Sequence, residues 1–386
     1  MKAYLDNAAT TAVDAKVLAA MSPYFSQKYG NASEPHSWGQ EARAGIDESR
    51  QKVADFLGAK PKEILFTSCA TESINLSHKG LIEFSKKIRP HIITSSIEHK
   101  AVLETCQHLE KLGWATVTYL PVDKYGLVAV KDVEQAIRPE TALVSIMYVN
   151  NEVGTIEPIA EIGRMLTSIK DRKIYFHTDA TQAIQYMDCN VDRLGVDLLS
   201  LTGHKFYAPK GIGALYVRRG TPLVRQQDGG GQEFQLRAGT ENVPQIVALG
   251  KAIELIANSK KLIAKIEDLR DKLITGVLKI PGVKLTGHPT KRAPHIASFT
   301  VEGAEGEAML LLLSDQGIAA ATGSACTSGT LKPSHVLTAM GIPPQAAHGS
   351  LRFSLGKETT TKEIDYVLEV LPQVIEKLRK MAPKLK

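Results

Sequence analysis

Between about residue 60 and residue 220, short runs of β-branched and apolar residues alternate with stretches whose apolar positions recur every three or four residues. That alternation predicts strands joined by crossover helices in a mostly parallel sheet. Seven strands are expected, at 63–68 (EILFTS), 91–96 (HIITSS), 115–120 (ATVTYL), 142–149 (ALVSIMYV), 174–178 (IYFHT), 197–202 (DLLSLT) and 213–217 (GALYV). Helical spacing follows several of them, in 81–87, 101–112 and 159–169. The fold class is therefore α/β, a doubly wound layer. After about residue 245 the pattern changes to one long helical stretch (246–278), strand-like ASFTVE (297–302), a helix at 305–316, strand-like SLRFSL (350–355) and a closing helix from Glu363. This is the grammar of a smaller α+β domain. Expected boundaries are 15–255 for the large domain, with 1–14 folding back to join 256–386 in the small one.

Composition narrows the function classes. The 386 residues are 43% hydrophobic and 23% charged, ordinary for a globular chain and unlike disordered, collagenous or coiled-coil sequences. The longest apolar run, Ala308 to Leu313, is far short of the ~18–20 residues that cross a bilayer, and MKAYLDNAATT carries no signal-like apolar region, so a cytoplasmic protein is expected. The formal charge of +6 arises from 47 basic and 41 acidic residues, and the tail 377–386 holds five of the basic ones. Without that tail the chain is nearly neutral, which argues against a nucleic-acid-binding face. Cys69, Cys106, Cys189 and Cys326 are far apart and form no C-x-x-C, so neither a zinc site nor a disulfide framework is expected. Cys106 and Cys189 read as small buried hydrophobes.

In open α/β sheets, ligands sit beyond the carboxyl ends of the strands. Thr71 and Glu72 follow the first predicted strand, His99 the second, Asn150 and Asn151 the fourth, Asp179 and Gln182 the fifth, and His204 and Lys205 the sixth. Thr71 alone would serve as a helix cap. Polar residues at five strand ends together point to a ligand. GIGALY (211–216) lacks a third glycine and runs into a strand, so it is no dinucleotide loop. His177 and Asp179 lack a third metal ligand, and no metal is expected. A lysine near an aspartate is what pyridoxal 5'-phosphate demands: an amine to link the aldehyde, and an anion to keep the pyridine nitrogen protonated. An isolated Lys205 would read as a snorkelling surface lysine. Its setting, LTGHKFYAPKG, opposes that, because Gly203 and Gly211 bracket it with tight backbone while Thr202 and His204 supply donors for a phosphate.

The segments YLDNAATT (4–11), TSCATES (67–73), EHKAV (98–102), VNNEVGTIEPI (149–159), FHTDATQ (176–182), SLTGHKFYAPKGIGALYVR (200–218), RAGTENV (237–243), TGSACTSG (322–329) and AAHGSLRFSLG (346–356) closely resemble the cysteine desulfurases of the NifS/IscS type. The resemblance runs nearly end to end and implies the fold-type I architecture of pyridoxal phosphate-dependent transferases. It implies Lys205 as the cofactor-linking lysine, Asp179 as the pyridinium partner, Gln182 as donor to the phenolic oxygen, and His99 stacked on the ring. Thr71, the backbone at Ala70, Thr202 and His204 would hold the phosphate. Thr240 matches a position that reaches the neighbouring subunit's phosphate, which implies a homodimer. Arg352 is the expected clamp for the substrate α-carboxylate, assisted by Asn150. Cys69 stands where many relatives have glycine, and reads as a packed small residue rather than a second thiol.

Cys326 decides the expected reaction. Small and polar neighbours from Gly323 to Gly329 place it on an accessible loop, where a thiol can ionise and attack. The resemblance then implies that L-cysteine displaces Lys205, and that the freed lysine removes the Cα proton. Cys326 attacks the substrate sulfur, His99 moves a proton, alanine leaves, and a persulfide stays on the loop for an acceptor such as an iron–sulfur scaffold. Two alternatives stay open at this level. One is a selenocysteine lyase or class-V aminotransferase using the same lysine and aspartate. The other is a non-catalytic sulfur-delivery protein.

Overall fold

The computed structural model describes residues 1–85, 89–257, 259–323 and 333–381. Its strands, numbered along the chain, are β1 (Ala3–Tyr4), β2 (Ile64–Thr67), β3 (His91–Ser95), β4 (Thr116–Leu120), β5 (Thr141–Ser145), β6 (Tyr175–Asp179), β7 (Leu198–Thr202), β8 (Gly213–Val217), β9 (Val283–Leu285), β10 (Ile296–Val301), β11 (Ile318–Ala319) and β12 (Ser350–Ser354). Seven of them form one sheet in the order β2-β8-β7-β6-β5-β3-β4. Within it β4, β3, β5, β6 and β7 run parallel, and β8 is antiparallel to both neighbours. All seven strands arise where the sequence predicts them; six are buried nearly throughout, and the edge strand β4 is only partly buried. GIGALY indeed enters β8 rather than opening a helix.

One strand is shorter than its hydrophobic run. ALVSIMYV spans 142–149, but β5 stops at Ser145 because its β3 neighbour also ends, at Ser95. The next residues stay bonded to β6, through Ile146 N–H to His177 and Tyr148 N–H to Asp179. The strand order reverses at β3, flanked by β4 on one side and β5 on the other. At such a reversal the crossover helices part and leave a crevice beyond the carboxyl ends.

The long helical stretch is two helices, Val243–Ile256 and Lys260–Val277. The first buries Val243, Ile246, Leu249 and Ile253 in the large core with Ile46, Phe176 and Leu199. The second buries Ile266, Leu269, Leu273 and Val277 in a separate core with Leu5, Phe299, Leu313, Phe353 and Leu371. A single straight helix could not serve both cores, so the chain breaks between them. The second core is covered by β9, β10 and β12, antiparallel in the order β12-β10-β9, and by the helices Gly306–Asp315 and Thr361–Met381. The N-terminus folds back onto it: β1 pairs parallel with β11, and Asp6 bridges to Ser354. Among the described residues no helix is long and apolar enough to cross a membrane.

Candidate active site

A cavity of about 320 Å³ opens at the carboxyl ends of β5, β6 and β7. Its lining includes Ala70, Thr71, His99, Asp179, Gln182, Thr202, His204, Lys205 and Arg352, joined by Ala8, Ala9, Cys69, Met147, Asn151 and Thr181. Nine of the expected site residues are thus brought to one place from segments scattered between 70 and 352.

Each is held for a local reason. Asp179 ends β6, almost fully buried, and its carboxylate accepts from Thr181 N–H at 2.9 Å. Thr202 ends β7 and donates to Ile212 O at 3.2 Å. A tight turn, Gly203–Lys205, then swings Lys205 inward. A side chain at Gly203 would meet the Ala208 Cβ at 2.8 Å, and Gly211 has φ +88°, so both bracketing glycines answer a backbone need. Lys205 Nζ donates to the carbonyls of Ala8 and Ala9, both at 2.7 Å. His99 caps the helix Lys100–Lys111, its Nδ1 accepting from Ala101 N–H at 3.1 Å, which leaves Nε2 for a bound molecule. The helix Ala70–Phe84 begins at the cavity with no side-chain cap, so its first-turn N–H groups form an anion cradle.

Burial sets the protonation of the imidazoles. Loss of solvent around His99 holds its pKa below the ordinary imidazole value against the opposing pull of Asp179. Burial, with Lys205 and Lys210 nearby, lowers His204 to about 4. Both rings are therefore neutral near pH 7, and with Nδ1 of His99 accepting from Ala101 its proton sits on Nε2.

Arg352 projects from β12 into the cavity. Its guanidinium donates to Asn151 O and to the Asp6 carboxylate, each at 2.8 Å, while its Nε lacks a protein partner. The Thr181 hydroxyl on the same lining is also unpartnered. Two orphaned polar groups, an amine, a buried carboxylate and an uncapped helix start fit an anionic aromatic aldehyde such as pyridoxal phosphate.

The structure does not bring every expected residue to the lining. Asn150 is fully buried, and its amide is occupied by Ile97 O at 3.0 Å and by the N–H groups of Glu152 and Val153 at 2.9 and 3.0 Å. It shapes the turn that presents Asn151 to the cavity. Thr240 is exposed and away from it. Glu72 is committed to Ser68 N–H and Arg237. His177 lies fully buried between the hydroxyls of Ser145 and Ser200. Cys69 is half-buried on the lining, whereas Cys106 and Cys189 are buried as expected. Cys326 lies outside the described residues. Among those described, no three His, Cys, Asp or Glu side chains gather as a metal site.

Several contributors escape sequence reasoning. The Ala8 and Ala9 carbonyls act through backbone alone, so no side-chain chemistry announces them. Asp6 is signalled only by its place in YLDNAATT. Glu98 lies behind His99, fully buried, accepting from Ser95 Oγ at 2.6 Å and Met147 N–H at 2.9 Å, and burial raises its carboxyl to about 8.

Known proteins resemble the chain over nearly its whole length. Residues 3–367 match the family model described as aminotransferase class-V. The chain is 52% identical to "Cysteine desulfurase IscS" of Methanosarcina thermophila, covering 98% of this chain and 93% of that protein. It is 45% identical to the human "Cysteine desulfurase", over 98% of this chain and 83% of that protein. Among solved structures, a "NIFS-LIKE PROTEIN" superposes with a TM-score of 0.92 at 40% identity, covering 97% of this chain and all of that one. One titled "SspA in complex with cysteine" superposes at 0.83 with 39% identity, over 93% of this chain and 100% of that one. The chain belongs to the aminotransferase class-V family and, within it, to the cysteine desulfurases.

Proposed function

We propose that the protein converts L-cysteine to L-alanine and passes the sulfur, held as a persulfide on Cys326, to an acceptor for iron–sulfur clusters or another sulfur-containing cofactor. The observation that carries this is the convergence of Lys205, Asp179 and Arg352 on one cavity. Pyridoxal phosphate, linked through Lys205, supplies an electron sink for the Cα–H bond when bound. Asp179 pairs with the ring nitrogen. The helix start at Ala70 and Thr71, with Thr202 and His204, holds the phosphate. Arg352 clamps the substrate carboxylate with the N–H groups not committed to Asp6 and Asn151. The Lys205 amine would take the proton from the substrate Cα, and neutral His99 would move a proton at its Nε2. Cys326 would attack the substrate sulfur as thiolate, forming the persulfide S–S bond as the substrate Cβ–S bond breaks; the carbon keeps the electron pair and takes a proton to become the methyl of alanine.

Residues 15–255 serve as the cofactor-binding unit, and 1–14 with 256–386 as the smaller unit that delivers Arg352 and the Cys326 segment. Thr240, exposed here, reaches the phosphate of a second copy, making the working unit a homodimer.

The test is incubation with L-cysteine and a reductant, quantifying alanine and sulfide. Equal yields are expected, with sulfide release lost in Cys326→Ala while bound cofactor is retained. Pyruvate, or products that depend on an added keto acid, would overturn the reading.

A further inference from the structure

His295 immediately precedes β10 and is buried to 2% exposure. Its ring stacks flat on Tyr186, with centroids 3.9 Å apart and planes 10° apart. Its Nε2 lies 3.2 Å from Gln182 Oε1, and its Nδ1 is buried without a partner. Gln182 in turn donates from Nε2 to Ala8 O at 2.9 Å, the carbonyl that also accepts from Lys205.

These contacts leave one consistent arrangement of hydrogens. A carbonyl can only accept, so the Gln182 nitrogen must face Ala8 and its oxygen must face His295. The imidazole must then carry its proton on Nε2, and the unpartnered Nδ1 holds the bare lone pair. A doubly protonated ring would bury an unsatisfied N–H as well as a charge. Burial, reinforced by Arg352, Arg270 and Lys205, pushes the His295 pKa down to about 3, so the ring keeps one proton across the working range. Gln182 has two amide hydrogens, and Ala8 takes one. The second is left on a side chain that lines the cavity.

We propose that His295 is a positioning residue that locks the Gln182 amide with its nitrogen toward the cavity, so that Gln182 donates to the phenolic oxygen of bound pyridoxal phosphate. The role rests on the cofactor reading above and adds to it a residue more than a hundred positions along the chain from the glutamine it orients. Without the imidazole, the Gln182 oxygen loses its donor, and the Ala8 carbonyl alone is left to hold the amide in place. An oxygen on the cofactor ring deprived of a donor holds its proton more tightly, and the linked chromophore titrates at higher pH.

The experiment is a pH titration of the visible absorbance of the protein loaded with pyridoxal phosphate. His295→Phe keeps a flat ring against Tyr186 but removes the N–H. Its midpoint is expected to rise by roughly one pH unit, the scale of one hydrogen bond. His295→Gln, whose amide reaches a similar position, is expected to restore it. Gln182→Leu is expected to raise the midpoint as well, and the double variant no further than Gln182→Leu alone. Should His295→Phe fold poorly, His295→Leu carries the same comparison. An unchanged midpoint in His295→Phe, or an equal further rise in the Gln182→Leu background, overturns the inference alone. Failure of the unaltered protein to acquire the visible band overturns the cofactor reading and this inference with it.

Discussion

Along one wall of the cavity, Asp179 and Thr202 keep their places through the ladders of β5, β6 and β7, which are buried in the large core. The opposite wall is assembled from segments distant in sequence. Arg352 is tied to Asp6, and the Ala8 N–H to the Ser354 hydroxyl at 2.8 Å, each pair separated by 346 positions. The first wall is positioned by many backbone hydrogen bonds, so a changed side chain there removes chemistry and leaves geometry. The second is positioned by a few side-chain contacts, so a changed side chain there also moves its neighbours. Lys205 stands on the first wall and bonds the second, through the carbonyls of Ala8 and Ala9.

Substitutions at the junction and on each wall separate these behaviours. Lys205→Ala should have the largest effect. Sulfide release is expected to fall by ~10²–10⁴-fold, the range for loss of a positioned base, together with loss of the visible cofactor band. Retained turnover would place the chemistry elsewhere.

Arg352→Ala comes next. Losing a charged hydrogen bond costs ~1.5–3 kcal/mol, or about 10–100-fold in kcat/KM for cysteine. Steady-state kinetics should show this mainly in KM, with the cofactor spectrum intact. An unaltered KM would reduce Arg352 to the ion-pair partner of Asp6.

Ser354→Ala tests how the far wall is held. It leaves the buried Ala8 N–H without an acceptor, a loss of ~1–3 kcal/mol in urea unfolding. A loss much smaller than this would show that the N-terminal segment is fixed by its other contacts, such as Asn7 to Ser354 O.

The mildest change is on the strand-end wall. Burial raises the Glu98 carboxyl from its ordinary 4.5 to about 8. Between those values the unfolded chain has released the proton that the folded chain keeps. Stability therefore declines as pH rises through that window, and levels off above it. Glu98→Gln should flatten the decline without altering the fold at acidic pH. Glu157, raised to about 8 by the same cause, leaves part of the slope in place. Urea titrations at about pH 5 and pH 8 give the two ends of the comparison.

How much of this could be read from the sequence differs between the walls in the same way. Lys205, Asp179 and Thr202 are legible because a strand run ends at or just before each, and the carboxyl ends of parallel strands share one edge. Asn150 and Asn151 are indistinguishable by that reasoning. The structure separates them because Asn150 closes its own turn by accepting from Glu152 and Val153. His295 gives no local signal, since its partner Gln182 lies in a different part of the chain and only packing brings them together. The break between Ile256 and Lys260 is likewise invisible in a helical pattern that continues unchanged on both sides.

The sequence by itself determined the seven strands, the crossover helices, the strand-end chemistry and the resemblance to cysteine desulfurases. Those features follow from periodicity and from motifs a few residues long. Only the tertiary structure decided which asparagine faces the cavity, which carbonyls meet Lys205, what pairs with Arg352 and what orients Gln182. Each of those depends on two cores packing against one another, an arrangement set by burial summed over the whole chain and written in no single segment.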